Sequence, residues 1–389
     1  FFSRPSTMGI KGKGGKDKQD MQGADTFSAV ILADTFTHDF KPITNQAPRA
    51  LLPIANIPII DYTIEWLILN GVEEIFVLCA AHSEKIQAHL KTARWSQCKD
   101  IMIKTLFAKC TTPGDAIRHL SDYDVLRQDF VLVSADIVTN FTGLRSVLRR
   151  HKERREADPS VLLTLVFREE EYFARPPPSS PAPEPQSPTS LSPDVSMSFG
   201  KQLVEEYVTA VIDPETGNLF RCQPWISRKF TCAEDAEDLD EKDCPAPRQL
   251  ELDLKLFKEH PTLECRSDLI DTNIVICSLE LLSLFKQEFD FCDIKHDCVQ
   301  SILEHDVLGN KMAVDVITAP FFGRVASYNH YAVISQAILG QWLHPMVPEY
   351  DFSGRANATY TQRANNVYIG QGVRLPRSVS VSRDVLLGP

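Results

Sequence analysis

The chain has 389 residues, 43% of them hydrophobic and 24% charged, which is enough apolar material for two domains or for one large domain with an appendage. A formal net charge of −11 argues against a nucleic-acid groove or an anionic membrane surface as the main partner, and no apolar run approaches the roughly 20 residues of a membrane span. The 10 cysteines include no Cys-x-x-Cys pair, so zinc-ligand spacing is missing, and reduced thiols in a cytoplasmic protein are the expectation.

Residues 1–25 are rich in Gly and Lys, with almost no apolar content, and read as a disordered tail. A single domain is expected over residues 26–348. Its first strand is Ala29–Ala33, followed by a polar loop through Pro53. A helix over Asp61–Leu69 is closed by Gly71, and Glu74–Ala80 is the next strand. Ser83 is placed to cap a helix running to Leu90. Ile101–Leu106, Phe130–Ser134 and Val161–Phe167 supply further buried strands, with helices near Asp115–Leu120 and Leu144–Arg155. Such alternation predicts an α/β, Rossmann-like fold with a mostly parallel sheet covered by helices on both faces.

The alternation stops at Arg175. Eight prolines lie between Pro176 and Pro193, and a second stretch, Glu234–Asp243, carries seven carboxylates around one lysine. Insertions of about 174–200 and 232–247 are therefore expected to be disordered. Between them, Val204–Ile212 and Leu219–Cys222 flank Asp213-Pro214-Glu215-Thr216-Gly217-Asn218 as a hairpin. Order is expected again at Leu250–Phe257. Strands follow at Ile270–Cys277, Ala313–Ile317 and Gly323–Ala326, with helices at Leu279–Gln287, Asp297–Leu303 and Tyr331–Leu343.

The final residues change period. Val367, Val373, Val379 and Val385 are six apart, and so are Ile369, Leu375, Val381 and Leu387, with Gly370, Pro376, Ser382 and Gly388 in phase. Two apolar columns at period six predict the first coil of a left-handed β-helix of hexapeptide repeats, three hexads to a coil. Residues 349–389 are read as a linker and the start of that β-helix, which the chain is expected to leave unfinished.

The strand and loop at 29–53 resemble the opening motif of sugar-nucleotide pyrophosphorylases, a family of nucleotidyltransferases, whose pattern is L-A-A-G-x-G-T-R-L-x-P-L-T and then P-K-x-L-x-P. Leu32-Ala33, Pro42-Ile43-Thr44, Pro48-Arg49, Leu51-Leu52-Pro53 and Ile59-Ile60-Asp61-Tyr62 fit it in register. Where that pattern has glycines this chain has Thr35 and Thr37, its arginine falls on Asp39, and Asp34 replaces the alanine before the first glycine. Glycines let the backbone approach a phosphate closely, whereas threonine is stiff at χ1 and makes such a loop costly. Losing one preorganised donor costs about 10²–10³ in rate, and a charge reversal in a rebuilt loop costs more. Nucleotidyl transfer is therefore expected to be lost, with no catalytic residue, no bound cofactor and no metal.

Asp34, Arg49 and Asp136 remain as remnants of the pocket. The resemblance implies that Asp136 stands where the family holds a Mg²⁺-binding aspartate; as a residue, it reads as well as a helix cap or a loop hydrogen bond. Arg49, in place of the family's lysine, is expected to pair with Asp34, Asp39 or Asp61 rather than with a phosphate.

Within the family the chain is most similar to the epsilon subunits of eukaryotic translation initiation factor 2B. The strings that carry this are Pro48–Asn56, Ile60–Thr63, Phe130–Val133 with Asp136–Asn140, Gly323–Ser327 and Trp342–Glu349; the gamma subunit is a poorer fit. The resemblance implies the scaffold and substrate-docking part of a guanine nucleotide exchange factor subunit. Its partners would be the gamma subunit, the other subunits of a decameric complex, and translation initiation factor 2, with no direct nucleic-acid or membrane contact. The exchange activity itself would lie in a C-terminal domain outside this chain. The alternative is an active or ligand-binding pyrophosphorylase of the GDP-mannose type.

Overall fold

The computed structural model describes residues 27–33, 36, 40–93, 95, 101–169, 207–224, 250, 252, 254–260, 262–304, 309–350, 360–376 and 378–388. Strand β1 (Ser28–Leu32) runs parallel to β4 (Glu74–Cys79) on one side and to β6 (Phe130–Ser134) on the other, and β4 runs parallel to β5 (Met102–Phe107). Between them lie the short ribbon β2 (Pro53–Ile54) and β3 (Ile57–Pro58) and the helices α1 (Ile59–Leu69), α2 (Ser83–Thr92) and α3 (Pro113–Asp122).

The period-two alternation of these strands gives the sheet two cores. Ala29, Ile31, Ile75, Val77, Val131 and Val133 face one side, while Val30, Phe76, Leu78 and Leu132 face the other. Each of these Val, Ile, Leu and Phe side chains contributes roughly 1.5–3 kcal/mol on burial. Helix α1 is buried from Ile59 to Leu67, and its polar residues survive there because each finds a partner. Asp61 bonds His89 at 2.6 Å, Trp95 donates to Glu65 at 3.0 Å, and the Thr63 hydroxyl lies 2.9 Å from the Ile137 carbonyl.

The second half of the sheet turns antiparallel. After β7 (Ile137–Thr139), α4 (Leu144–Ala157) and β8 (Val161–Glu169), the hairpin of β9 (Tyr207–Ile212) and β10 (Leu219–Pro224) forms about the expected turn. A one-turn helix α5 (Leu256–Glu259) precedes β11 (Glu264–Cys277), which begins six residues earlier than its apolar run suggests. Strand β11 lies antiparallel to β6, β8 and β9, with a register shift between Asp271 and Ile274. The sheet is therefore mixed, parallel from β5 to β6 and antiparallel in the pairings that β11 makes with β6, β8 and β9.

Helix α6 (Leu279–Gln287) packs on α3. Arg118 clamps the end of α6 by donating to the carbonyls of Phe285, Glu288, Phe289 and Phe291. The helix expected over Asp297–Leu303 begins as a wide turn at Ile294–Val299, capped by the Asp293 carboxylate, and tightens into α7 (Gln300–Glu304). Strand β12 (Lys311–Ile317) runs parallel to β8, and β13 (Phe322–Arg324) pairs antiparallel with β7.

Of the helix boundaries that differ from expectation, two have a visible capping reason. Ser83 is the first residue of α2 rather than its cap, because His82 takes the cap position at φ 52°. The last helix of the domain, α8 (Tyr328–Leu339), starts three residues early, where the Ser327 hydroxyl accepts from the His330 N–H, and it stops at Gly340.

A small sheet ends the described chain, with β14 (Tyr360–Arg363) antiparallel to β15 (Val367–Gly370) and β16 (Val385–Leu387) parallel to β15. Val367 lies opposite Val385, eighteen residues on. Tyr368 and Tyr360 pack against Leu339, and the Tyr368 hydroxyl donates to the Leu339 carbonyl at 2.8 Å. The tail at 1–25 and the two insertions lie outside the described residues. Among the described residues, no helix is long and apolar enough to cross a membrane.

Candidate functional site

The C-terminal ends of β1 and β6 meet at one polar cluster, the place where open α/β sheets put ligands. Asp136 occupies the turn between β6 and β7 and is 1% exposed. Its backbone is fixed from three sides: Thr63 of α1 reaches the carbonyls of Ala135 and Ile137, the Val325 N–H donates to the Asp136 carbonyl at 2.9 Å, and Ile137 pairs with Arg324 in the β7–β13 ribbon.

Two guanidinium groups converge on the same carboxylate oxygen. Arg49 Nη2 donates to Asp136 Oδ2 at 2.8 Å and Arg324 Nε donates to it at 3.1 Å, while the Ser134 hydroxyl donates to Oδ1. Arg49 is itself buried, in a single turn over Arg49–Leu51 that starts from the extended backbone at Pro48. Its guanidinium lies 4.8 Å from the centre of the Phe40 ring, and Phe40 stacks on Tyr328 at the start of α8. Burial by itself would push the Asp136 carboxyl up. Arg324, Arg49 and the Ser134 hydroxyl outweigh it and hold the group below its ordinary value.

Among the described residues the acid that Arg49 meets is Asp136, which the polypeptide brings to it across 87 residues, and of the expected partners Asp61 pairs with His89 instead. Asp34 and Asp39 lie outside the described residues, as do Thr35 and Thr37. Asp136 is neither a helix cap nor a simple loop acceptor, since its carboxylate is the centre of an ion triad. Arg324 was visible only as part of the string Gly323–Ser327. Nothing in that string told its role, because the signal is the pairing of β13 with β7. A second polar group sits on β11, where the Lys295 ammonium bonds Asp271 and Asn273 at the register shift, with Asn273 at φ 56°.

The resemblance implies a divalent cation at Asp136, and the residues do not fit one. Divalent magnesium needs carboxylate oxygens with room for several waters, whereas this carboxylate is enclosed by two arginines and a hydroxyl. Among the described residues, no group of three or more His, Cys, Asp or Glu side chains could hold a metal ion.

A mixed sheet whose parallel half ends in this cluster is the fold of a nucleotidyltransferase-like domain, and the nucleotidyl transferase family model matches residues 28–172. An apo UDP-glucose pyrophosphorylase crystal structure superposes with a TM-score of 0.51 at 12% identity, covering 81% of this chain and 99% of that one, which establishes likeness of fold alone. Within that class the chain is a relative of translation initiation factor eIF2B subunit epsilon. It is 32% identical over 386 residues to that subunit from Schizosaccharomyces pombe, covering 99% of this chain and 49% of the relative. The corresponding figures for the subunit from Dictyostelium discoideum are 30% over 382 residues, 97% and 47%. The chain thus spans about half the length of these relatives.

Proposed function

We propose that this chain is the scaffold and substrate-docking part of an epsilon-type subunit of a guanine nucleotide exchange factor acting on translation initiation factor 2. On this reading it pairs with a gamma-type subunit inside a larger cytoplasmic assembly, and its nucleotidyltransferase domain no longer transfers nucleotides. The observation that carries the loss of chemistry is the Arg49–Asp136–Arg324 triad, because a carboxylate already engaged by two cations and a hydroxyl is poorly placed to organise a metal and a triphosphate. The similarity to epsilon subunits along 97–99% of the chain supports the rest.

Residues 360–388 are, on the same reading, the beginning of a left-handed β-helix. The parallel pairing of Val367 with Val385 spans eighteen residues, the length of three hexads.

Co-expression with a gamma-type subunit tests the assembly role, with a stoichiometric complex as the expected product. A monodisperse monomer that ignores that partner overturns it. For the chemistry, incubation with nucleoside triphosphate, sugar 1-phosphate and Mg²⁺ is expected to release no pyrophosphate. Release that Asp136→Ala abolishes would establish an active pyrophosphorylase instead.

A further inference from the structure

Strand β5 ends the large sheet, and among the described residues it pairs with β4 alone. In a parallel pair each residue turns its N–H and C=O to one side, and its neighbours turn theirs to the other. The Met102 N–H donates to the Glu73 carbonyl and the Ala108 N–H to the Cys79 carbonyl, so the even-numbered positions bond β4. Ile103, Thr105 and Phe107 therefore direct their main-chain groups away from the sheet. Those of Phe107 are closed locally. The Tyr123 hydroxyl, at the C-terminal end of α3, accepts from the Phe107 N–H at 3.2 Å and donates to the Phe107 carbonyl. Those of Ile103 and Thr105 meet no partner among the described residues, and such an edge is a template for a further strand.

A cavity of about 330 Å³ lies against this open edge, between α2 and β5, lined by Gln87, Leu90, Trp95, Ile101, Ile103 and Thr105. An added strand sets the side chains opposite Ile103 and Thr105 over the cavity, and the one between them on the other face, beside Lys104. Lys104 and Lys109 are exposed, and neither has an acid partner among the described residues. Charge complementarity at this edge therefore selects carboxylates. We infer that β5 accepts an extended segment of a partner protein in which apolar and acidic residues alternate. Its apolar side chains enter the cavity, its carboxylates meet Lys104, and the Ile103 and Thr105 main chains hold it by hydrogen bonds. Tyr123 sets where that pairing stops. This contact lies beyond the assembly role proposed above and can fail while that role stands.

The test is fluorescence anisotropy on the full chain at pH 7 with labelled acetyl-Glu-Leu-Glu-Leu-Glu-Leu-Glu-amide, against the same peptide with Lys at every Glu. Wild type is expected to bind the acidic peptide at least about tenfold more tightly than the basic one. Thr105→Pro removes an N–H that the sheet does not use, a change an edge strand tolerates, and is expected to weaken that binding at least about tenfold. Lys104→Glu, at an exposed side chain, is expected to lower or reverse the preference for the acidic peptide. Equal binding of the two peptides by wild type, or binding of neither, overturns the inference. So does unchanged affinity in a Thr105→Pro protein that keeps the wild-type circular dichroism. Wild-type self-association that Thr105→Pro abolishes overturns it too, by giving the edge to a second copy of this chain. Should Thr105→Pro not fold, Lys104→Glu decides, with an unchanged preference counting against the inference.

Discussion

Asp136 and Asp315 are both nearly inaccessible, and each holds two arginines on a single oxygen, but the arginines are recruited differently. Those of Asp315 are Arg150 and Arg154, one turn apart on α4, each 3.0 Å from Oδ1. Those of Asp136 come from positions 49 and 324, through a turn and a strand end that only the complete fold brings together. The Asp315 arginines are also the wetter pair, with side chains 42% and 20% exposed. The first arrangement fastens a helix to β12, whereas the second joins the start, middle and end of the domain at the place where a ligand would bind. Identical charge composition thus serves as a local rivet in one place and a long-range knot in the other.

The comparison is broken most directly at Asp136. Replacing it with Ala removes the acid that Arg49 and Arg324 share, and breaking a buried pair costs about 3–5 kcal/mol. Urea unfolding at pH 7 should therefore show a large fall in midpoint, and a loss below about 1 kcal/mol would mean that the triad does not bear on stability.

His151 sharpens the comparison next, because it sits on α4 between the two Asp315 arginines. Burial lowers its pKa from 6.5 to about 4, with Arg155 and Arg154 adding to the effect and Asp129 opposing it. The unfolded chain therefore binds the proton more readily. Stability is complete above about pH 6.5 and declines as pH falls toward 4, by roughly 3 kcal/mol in total. His151→Gln should flatten that slope, as unfolding curves at pH 7 and pH 5 would reveal. The depressed Asp136 carboxyl adds its own loss only below its ordinary value of 3.8, so the two acid steps are separable.

The smallest effect belongs to Asp315→Ala, at about 1–2 kcal/mol, because Arg150 and Arg154 can turn to solvent once their acid is gone. The same urea experiment checks it. A cost equal to that of Asp136→Ala would erase the distinction between rivet and knot.

The contrast also explains what could be read from sequence. Strands such as Phe130–Ser134 and helices such as Leu144–Ala157 declare themselves through local periodicity, and the observed elements agree to within one or two residues. An i,i+4 arginine pair is equally local. Arg49 is legible as a pocket residue by its place in the motif, but its partner is not, since Asp136 is 87 residues away and five intervening strands decide who meets whom. Arg324 left no local trace because its role depends on β13 pairing with β7. The antiparallel half of the sheet was hidden similarly. Strand β11 has the apolar run of a parallel strand, and its direction is settled by its antiparallel pairing with β6 and β8 rather than by anything in the run itself.

The Thr63 hydroxyl, set between the Ala135 and Ile137 carbonyls, makes α1 a template for the Asp136 turn. The two hydrogen bonds hold the turn without help from the arginines, so a substitution at 49 or 324 changes what meets Asp136 and leaves unchanged where Asp136 stands.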